Sequence, residues 1–321
     1  MIVTMHRRHM LAALALPFAP VIRAQPQTQP AAALPAAASA SAPYARLQGG
    51  VPHHLTPEQE AQRVIDSPAP AGPSGRWRAR AALPIPRSEM AWATVARGRL
   101  HVVGGYGEGA VNRDYHHIYD PAQDRWLDGA PLPRGANHVA VASDDARVWA
   151  FGGFVEQNRR SDTLAYVYDI DTNRWTAIAP LPRPRGAAAA VLHDGRIHLI
   201  GGASEPAAER ASVGWHEVYD PKADRWSALK ALPGARDHVG CVAHRGRIHV
   251  IGGRFNTFEY NTALHYVYIP ARDTWEARAP MPTPRHAVGA GAIGDWIHVA
   301  GGGAVLGGSV QSAVHEAFTL A

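Results

Sequence analysis

The run Arg196-Ile197-His198-Leu199-Ile200-Gly201-Gly202 decides how this chain folds. A short β-branched stretch ending in two glycines reads as a strand that leaves its sheet where a side chain would collide with a neighbour. Tyr219 follows, and Trp226 stands seven places after it. The arrangement recurs. Glycine pairs lie at Gly104-Gly105, Gly152-Gly153, Gly201-Gly202, Gly252-Gly253 and Gly301-Gly302, with steps of 48, 49, 51 and 49 residues. Tyr119/Trp126, Tyr168/Trp175 and Tyr268/Trp275 repeat the aromatic spacing. Such a period marks a unit that cannot bury both faces alone and must pack against copies of itself. Asp194-Gly195 and Arg245-Gly246 suit tight hairpins between the first two strands of a unit. Each unit reads as four short strands, with Tyr and Trp on the third and fourth filling the space between sheets.

These residues resemble the kelch repeat, and the resemblance covers residues 77–321. It implies an all-β kelch β-propeller with the first strand of each blade innermost. Five four-stranded blades are expected; the alternative is six, with an irregular blade drawn from residues 44–76. The fifth unit carries Phe318 in the Tyr slot and no Trp after it, whereas Trp77 stands alone before the first unit. The strand around Gly75–Ala79 is therefore expected to supply the outer strand of the last blade and close the ring.

The remainder of the chain reads differently. Residues 1–24 carry Arg7-Arg8 and an apolar run to Ile22, which resembles a twin-arginine export signal cleaved after Ala24. A periplasmic or secreted location is expected. Pro17 and Pro20 interrupt that run, which falls short of the roughly 20 residues a spanning helix needs, so no integral membrane segment is expected in the mature protein. Residues 25–43 form an Ala/Pro-rich linker, and 44–76 a lead-in segment. The 31 Gly and 26 Pro fit many short strands and argue against a helical protein. The net charge of +5 includes three arginines within residues 1–24, and the other bases are spread through the repeats, so nucleic acid is not an expected partner. Cys241 is the single cysteine, which excludes an intramolecular disulfide.

Residues that break the repeat point to function. Histidines recur three places before the glycine pairs (His101, His198, His249, His298) and three before the Tyr/Phe slot (His116, His216, His265, His315). That recurrence makes them structural. Fifteen places before each pair stand Glu89, Asn137, Gly186, Asp237 and His286, and one place later Met90, His138, Ala187, His238 and Ala287. Arg87, Arg134, Arg185, Arg236 and Arg285 lie just before them. In a kelch propeller these positions share one face with the loop after the glycine pair, which brings Tyr106, Phe154 and Arg254 to the same pore mouth. Arg87, Glu89, Asn137, His138, Arg236, Asp237, His238, His286, Tyr106, Phe154 and Arg254 are thus the candidate ligand-binding set.

The expected function is binding of a carbohydrate-like or acidic small molecule, or a protein segment, at this face. The alternative is an enzyme resembling the periplasmic kelch-type sialic acid mutarotases, a sugar-acid mutarotase or epimerase. Glu89, Asp237 or His238 would then move a proton, and Arg254 or Arg236 would hold the carboxylate. No metal or cofactor is expected: His138, His238, His286 and Asp237 have suitable donors but no short ligand spacing. The radical copper site of galactose oxidase, which shares kelch-like units, needs a cross-linked Cys, and Cys241 occupies a core slot.

Overall fold

A computed structural model describes residues 80–85, 89, 93–106, 111–156, 159–205, 210–255, 260–303 and 314–319, with the backbone of Tyr44–Ala45. Blade 1 comprises Thr94–Ala96, Arg99–Val103, His116–Asp120 and Arg125–Asp128. Blade 2 comprises Ala140–Ser143, Arg147–Phe151, Ala165–Asp169 and Arg174–Ala177. In blade 3 the strands are Ala189–His193, Arg196–Ile200, His216–Asp220 and Arg225–Ala228; in blade 4, Gly240–His244, Arg247–Ile251, His265–Ile269 and Thr274–Ala277. Blade 5 shows three strands among the described residues, Gly289–Ile293, Trp296–Ala300 and His315–Phe318. Every blade is an antiparallel meander in sequence order. This is the expected five-bladed propeller. The strand expected around Gly75–Ala79 lies outside the described residues, as do residues 1–24, the 25–43 linker and nearly all of the lead-in. No helix among the described residues is long and apolar enough to cross a membrane.

The hydrophobic core lies between blades. Trp149 and Phe151 of blade 2 pack with Ile197, Leu199 and Tyr219 of blade 3, and Ile200 of blade 3 packs with Ile248, Val250 and Tyr268 of blade 4. Close approach explains the glycine pairs. At Gly252 φ is +64°, and a Cβ there would stand 2.6 Å from the Arg285 carbonyl oxygen of the next blade. The expected hairpins form with left-handed pairs at Asp194-Gly195 and Arg245-Gly246.

The Tyr/Trp spacing has a specific purpose. Each Trp indole donates to the carbonyl of the residue linking the preceding blade to the next: Trp126 to Ala81 (2.8 Å), Trp175 to Ala130 (2.7 Å), Trp226 to Ala179 (2.9 Å) and Trp275 to Lys230 (2.8 Å). The N–H of that same linker residue donates to a turn side chain, respectively Asp124, Asn173, Asp224 and Asp273. These four turn residues all have left-handed φ, where Asp and Asn are tolerated. Each also accepts from the Tyr hydroxyl of its own blade. One peptide residue is thus gripped at both its N–H and C=O by the next blade. Ala81, upstream of blade 1, is held in the same way as the linkers that follow outer strands.

The periodic histidines join this clamp. His101 and His116, His198 and His216, His249 and His265, and His298 and His315 pair Nδ1 to Nε2 at 2.9 Å across the second and third strands. The Nδ1 atoms of His116 and His216 face the Ala130 and Lys230 carbonyls at 3.3 Å, so those nitrogens carry the proton and their Nε2 atoms accept. Burial holds His101, His198 and His249 at about 4, and His216 and His265 at about 3.

Two outcomes follow from these contacts. Trp226→Phe keeps the ring and removes the donor, and should cost about 1 kcal/mol in chemical denaturation. Asp273→Ala should lower the melting temperature more than Asp273→Asn, because Asn173 fills that slot in blade 2. The buried histidines fold in their neutral form, with values below the ordinary 6.5. Between those values the unfolded chain binds protons that the folded chain does not, so stability is full above about pH 6.5 and falls as the pH drops toward 4. Melting temperatures at pH 7.5, 6 and 4.5 should decline in that order; equal values would refute the neutral pairs.

Candidate functional site

The inner ends of the blades are joined at the axis by a chain of backbone hydrogen bonds. His138 N–H donates to Glu89 O (3.0 Å), Ala187 to His138 (3.0 Å), His238 to Ala187 (3.1 Å) and Ala287 to His238 (2.8 Å). All five residues have left-handed backbones, with φ between +49° and +55°. They are therefore equivalent positions. This corrects the phase read from sequence: Glu89 matches His138, not Asn137, because it stands fifteen residues before its glycine pair where the others stand fourteen.

Three of these positions carry polar side chains, and they meet. His138 Nε2 lies 2.9 Å from Glu89 Oε2, and the rings of His138 and His238 are 5.0 Å apart, edge to face. The preceding residues lie behind them. His138 Nδ1 bonds Asn137 Oδ1, and the Asn137 amide donates to Asn112 Oδ1 (2.6 Å) and to the Phe154 carbonyl (3.1 Å). His238 Nδ1 lies 2.5 Å from Asp237 Oδ1, which also accepts from Arg254 Nε at 2.8 Å; Ser212 donates to Asp237 Oδ2 at 2.6 Å. An Arg254 nitrogen points at His238 Nε2 from 3.4 Å. A guanidinium only donates, so His238 is neutral, with its proton on Nδ1. His286 bonds Asn261 Oδ1 at 2.9 Å and lies against His238, ring centroids 5.9 Å apart. Tyr106 and Phe154 wall the His138 ring. Gly186 makes room for Phe154: a Cβ there would meet the ring at 2.6 Å.

The hydrogen bond from His138 outweighs partial burial and holds Glu89 at about 2. Burial opposes charge on Asp237, but the hydrogen bond from His238, the Arg254 charge and the Ser212 hydroxyl hold its carboxyl well below the usual range. Burial and Arg254 hold His238 at about 4. Burial pushes the Tyr106 phenol up to about 12. Glu89 and Ala287, at the two ends of the hydrogen-bonded chain, are exposed, so solvent reaches the cluster from that side.

The sequence candidates separate accordingly. Glu89, Asn137, His138, Asp237, His238, His286, Tyr106, Phe154 and Arg254 are brought together at the mouth. Asp237, read as a group that could face a ligand, is fully buried behind His238. Arg236 does not reach the mouth. It is sealed inside its blade, donating to the Pro233, Gly234 and Val250 carbonyls, as Arg185 and Arg285 donate to carbonyls near their own glycine pairs. Arg87 lies outside the described residues. Ser212, Asn261 and Asn112 were missed, although each stands seven places before the Tyr slot of its blade: the count taken from the glycine pair loses them, because the stretch between the pair and the Tyr differs in length from blade to blade. Cys241 packs in the core between blades 3 and 4, its thiol pushed up to about 12 by burial.

The profile of the KLHDC2/KLHL20/DRC7 Kelch-repeats domain matches residues 91–302. The chain belongs to the kelch-repeat family. Human Kelch-like protein 35 is 42% identical over 180 residues, which make up 56% of this chain and 27% of that protein. Mouse Kelch-like protein 35 is 28% identical over 181 residues, 56% of this chain and 21% of that protein. The match thus spans about a quarter of the length of these curated relatives. A solved structure titled "Structure of YjhT" superposes with a TM-score of 0.59 at 17% identity, over 68% of this chain and 73% of that one, and shows the fold alone. Kelch propellers bind protein or small-molecule partners.

Anchor and contact residues at the kelch mouth should respond differently to loss of charge. Asp237→Asn leaves the Arg254 guanidinium buried without its carboxylate and should cost about 3 kcal/mol in urea denaturation. Glu89→Gln, on the exposed side, should cost less than about 1 kcal/mol.

Proposed function

We propose that this kelch propeller binds a small acidic or carbohydrate-like ligand at the axial mouth. The observation that carries the reading is the convergence of Glu89, His138, His238 and Arg254, while the slots matching the two histidines in blades 3 and 5 hold Ala187 and Ala287. Glu89 and the imidazoles suit hydroxyl groups, the Arg254 guanidinium, held by Asp237 behind His238, supplies positive charge for a carboxylate, and Tyr106 gives an aromatic wall. Binding is favoured over isomerase chemistry by proton affinity. A general base works best with a value near the operating pH. Glu89 is held at about 2, His238 at about 4, and Asp237 is sealed from any ligand. We further infer export to the periplasm from Arg7-Arg8 and the apolar run after them; Lys at both positions should retain the protein in the cytoplasm.

The test is calorimetry of the full chain against gluconate, glucuronate, galactose and glucose in EDTA. A sugar acid should bind saturably and lose at least about tenfold affinity in Arg254→Gln, while Arg134→Gln at the rim leaves it unchanged. No saturable binding, or full affinity in Arg254→Gln, would overturn the reading. Acceleration of anomeric exchange by NMR, removed in Glu89→Gln, would favour the isomerase instead.

A further inference from the structure

We propose that Glu89, His138 and His238 form a site for a divalent transition-metal ion of the zinc class, with three protein ligands and a fourth position open to solvent. One donor atom from each residue lies within 4.8 Å of the other two, so small side-chain rotations bring all three to a common centre. The three come from blades 1, 2 and 4, so no short spacing in the sequence announces them.

The surroundings of the donors carry the argument further. A ligating histidine almost always gives its other ring N–H to an oxygen that fixes its orientation. Both histidines meet that condition. Asn137 turns its oxygen to His138 Nδ1, because its amide nitrogen already donates to Asn112 and to a backbone carbonyl. Asp237 receives His238 Nδ1–H and is itself held by Ser212 and Arg254. Each Nε2 is thereby aimed at the mouth. The donor set differs from the one the residue pattern suggests: Asp237 orients a ligand, and Glu89 supplies the carboxylate.

The backbone supports the same assignment. All three ligands stand on left-handed residues tied into the axial hydrogen-bond chain, so their Cα positions are set by the fold. Exposure of Glu89 and Ala287 leaves the fourth coordination position open on the solvent side. Arg254 is the competitor. Its 3.4 Å contact with His238 Nε2 is long, and its bond to Asp237 remains when the metal takes that lone pair.

The test is titration of EDTA-stripped full chain with Zn²⁺ by calorimetry, and with Co²⁺ by visible absorption. One equivalent should bind, with the intense Co²⁺ bands of a four-coordinate site. Glu89→Gln and His238→Ala should each weaken binding at least about tenfold, whereas His298→Ala, in a remote histidine pair, should not. The metal is titrated without sugar and the sugar acids are titrated in EDTA, so failure of the ligand reading and failure of the metal site are separable. Unchanged affinity in Glu89→Gln, which removes only the charge of an exposed side chain and leaves the fold intact, would overturn the proposal. So would the absence of any one-equivalent site.

Discussion

Every described junction between the first four blades, and the approach to the first, turns on one peptide residue held from both sides. The next blade offers an indole N–H to its carbonyl and a turn oxygen to its N–H, and at Ala130 and Lys230 a histidine of the residue's own blade donates to the same carbonyl. A linker between two sheets would otherwise leave polar backbone groups at an apolar seam, where an unpaired group is costly. The clamp removes that cost and fixes the angle between blades at once. The tyrosine spacing, the left-handed turn residue and the histidine pairs are all consequences of building it.

Regularity at the seams leaves the axis to be irregular. The interblade core is much the same from one blade to the next, and the backbone at the inner ends is tied by bonds that do not depend on side chains. Ala187 and Ala287 occupy the same left-handed position as Glu89, His138 and His238. Substitution at the exposed Ala287 changes the chemistry of the mouth without disturbing the propeller, whereas Ala187 is buried against Phe154 and Ala203. The buried layer behind it is less free. Asp237 balances Arg254, and Gly186 admits the Phe154 ring, so each choice in that layer constrains the next.

The fold was legible because its signals are periodic and local: glycine pairs, a Tyr and Trp seven apart, and hairpin glycines each report one strand or turn. The site was legible only as a neighbourhood. Counting back from the glycine pair placed Glu89 one position out of phase, since one extra residue in blade 1 shifts the count while the axial hydrogen bonds keep the geometry. Arg236 looked like a mouth residue because the strand pattern does not tell which way a long side chain turns; burial against three carbonyls turned it inward. Asp237 and His238 are adjacent in sequence, yet one stands behind the other, which only the bond between them reveals. Ser212 and Asn261 keep a constant phase of seven residues before the Tyr slot, which a count from the glycine pair hides because the stretch between pair and Tyr varies in length.

The axial chain of hydrogen bonds also makes the mouth a set of interchangeable sockets. Ala287 is an exposed socket left blank, on the same rail as three filled ones. A chain in which backbone geometry is guaranteed by its neighbours can accept a new side chain at that socket with little structural penalty. Diversity among propellers of this build can therefore accumulate one residue at a time around the axis, each step rewriting what the mouth recognises while the wall that frames it stays the same.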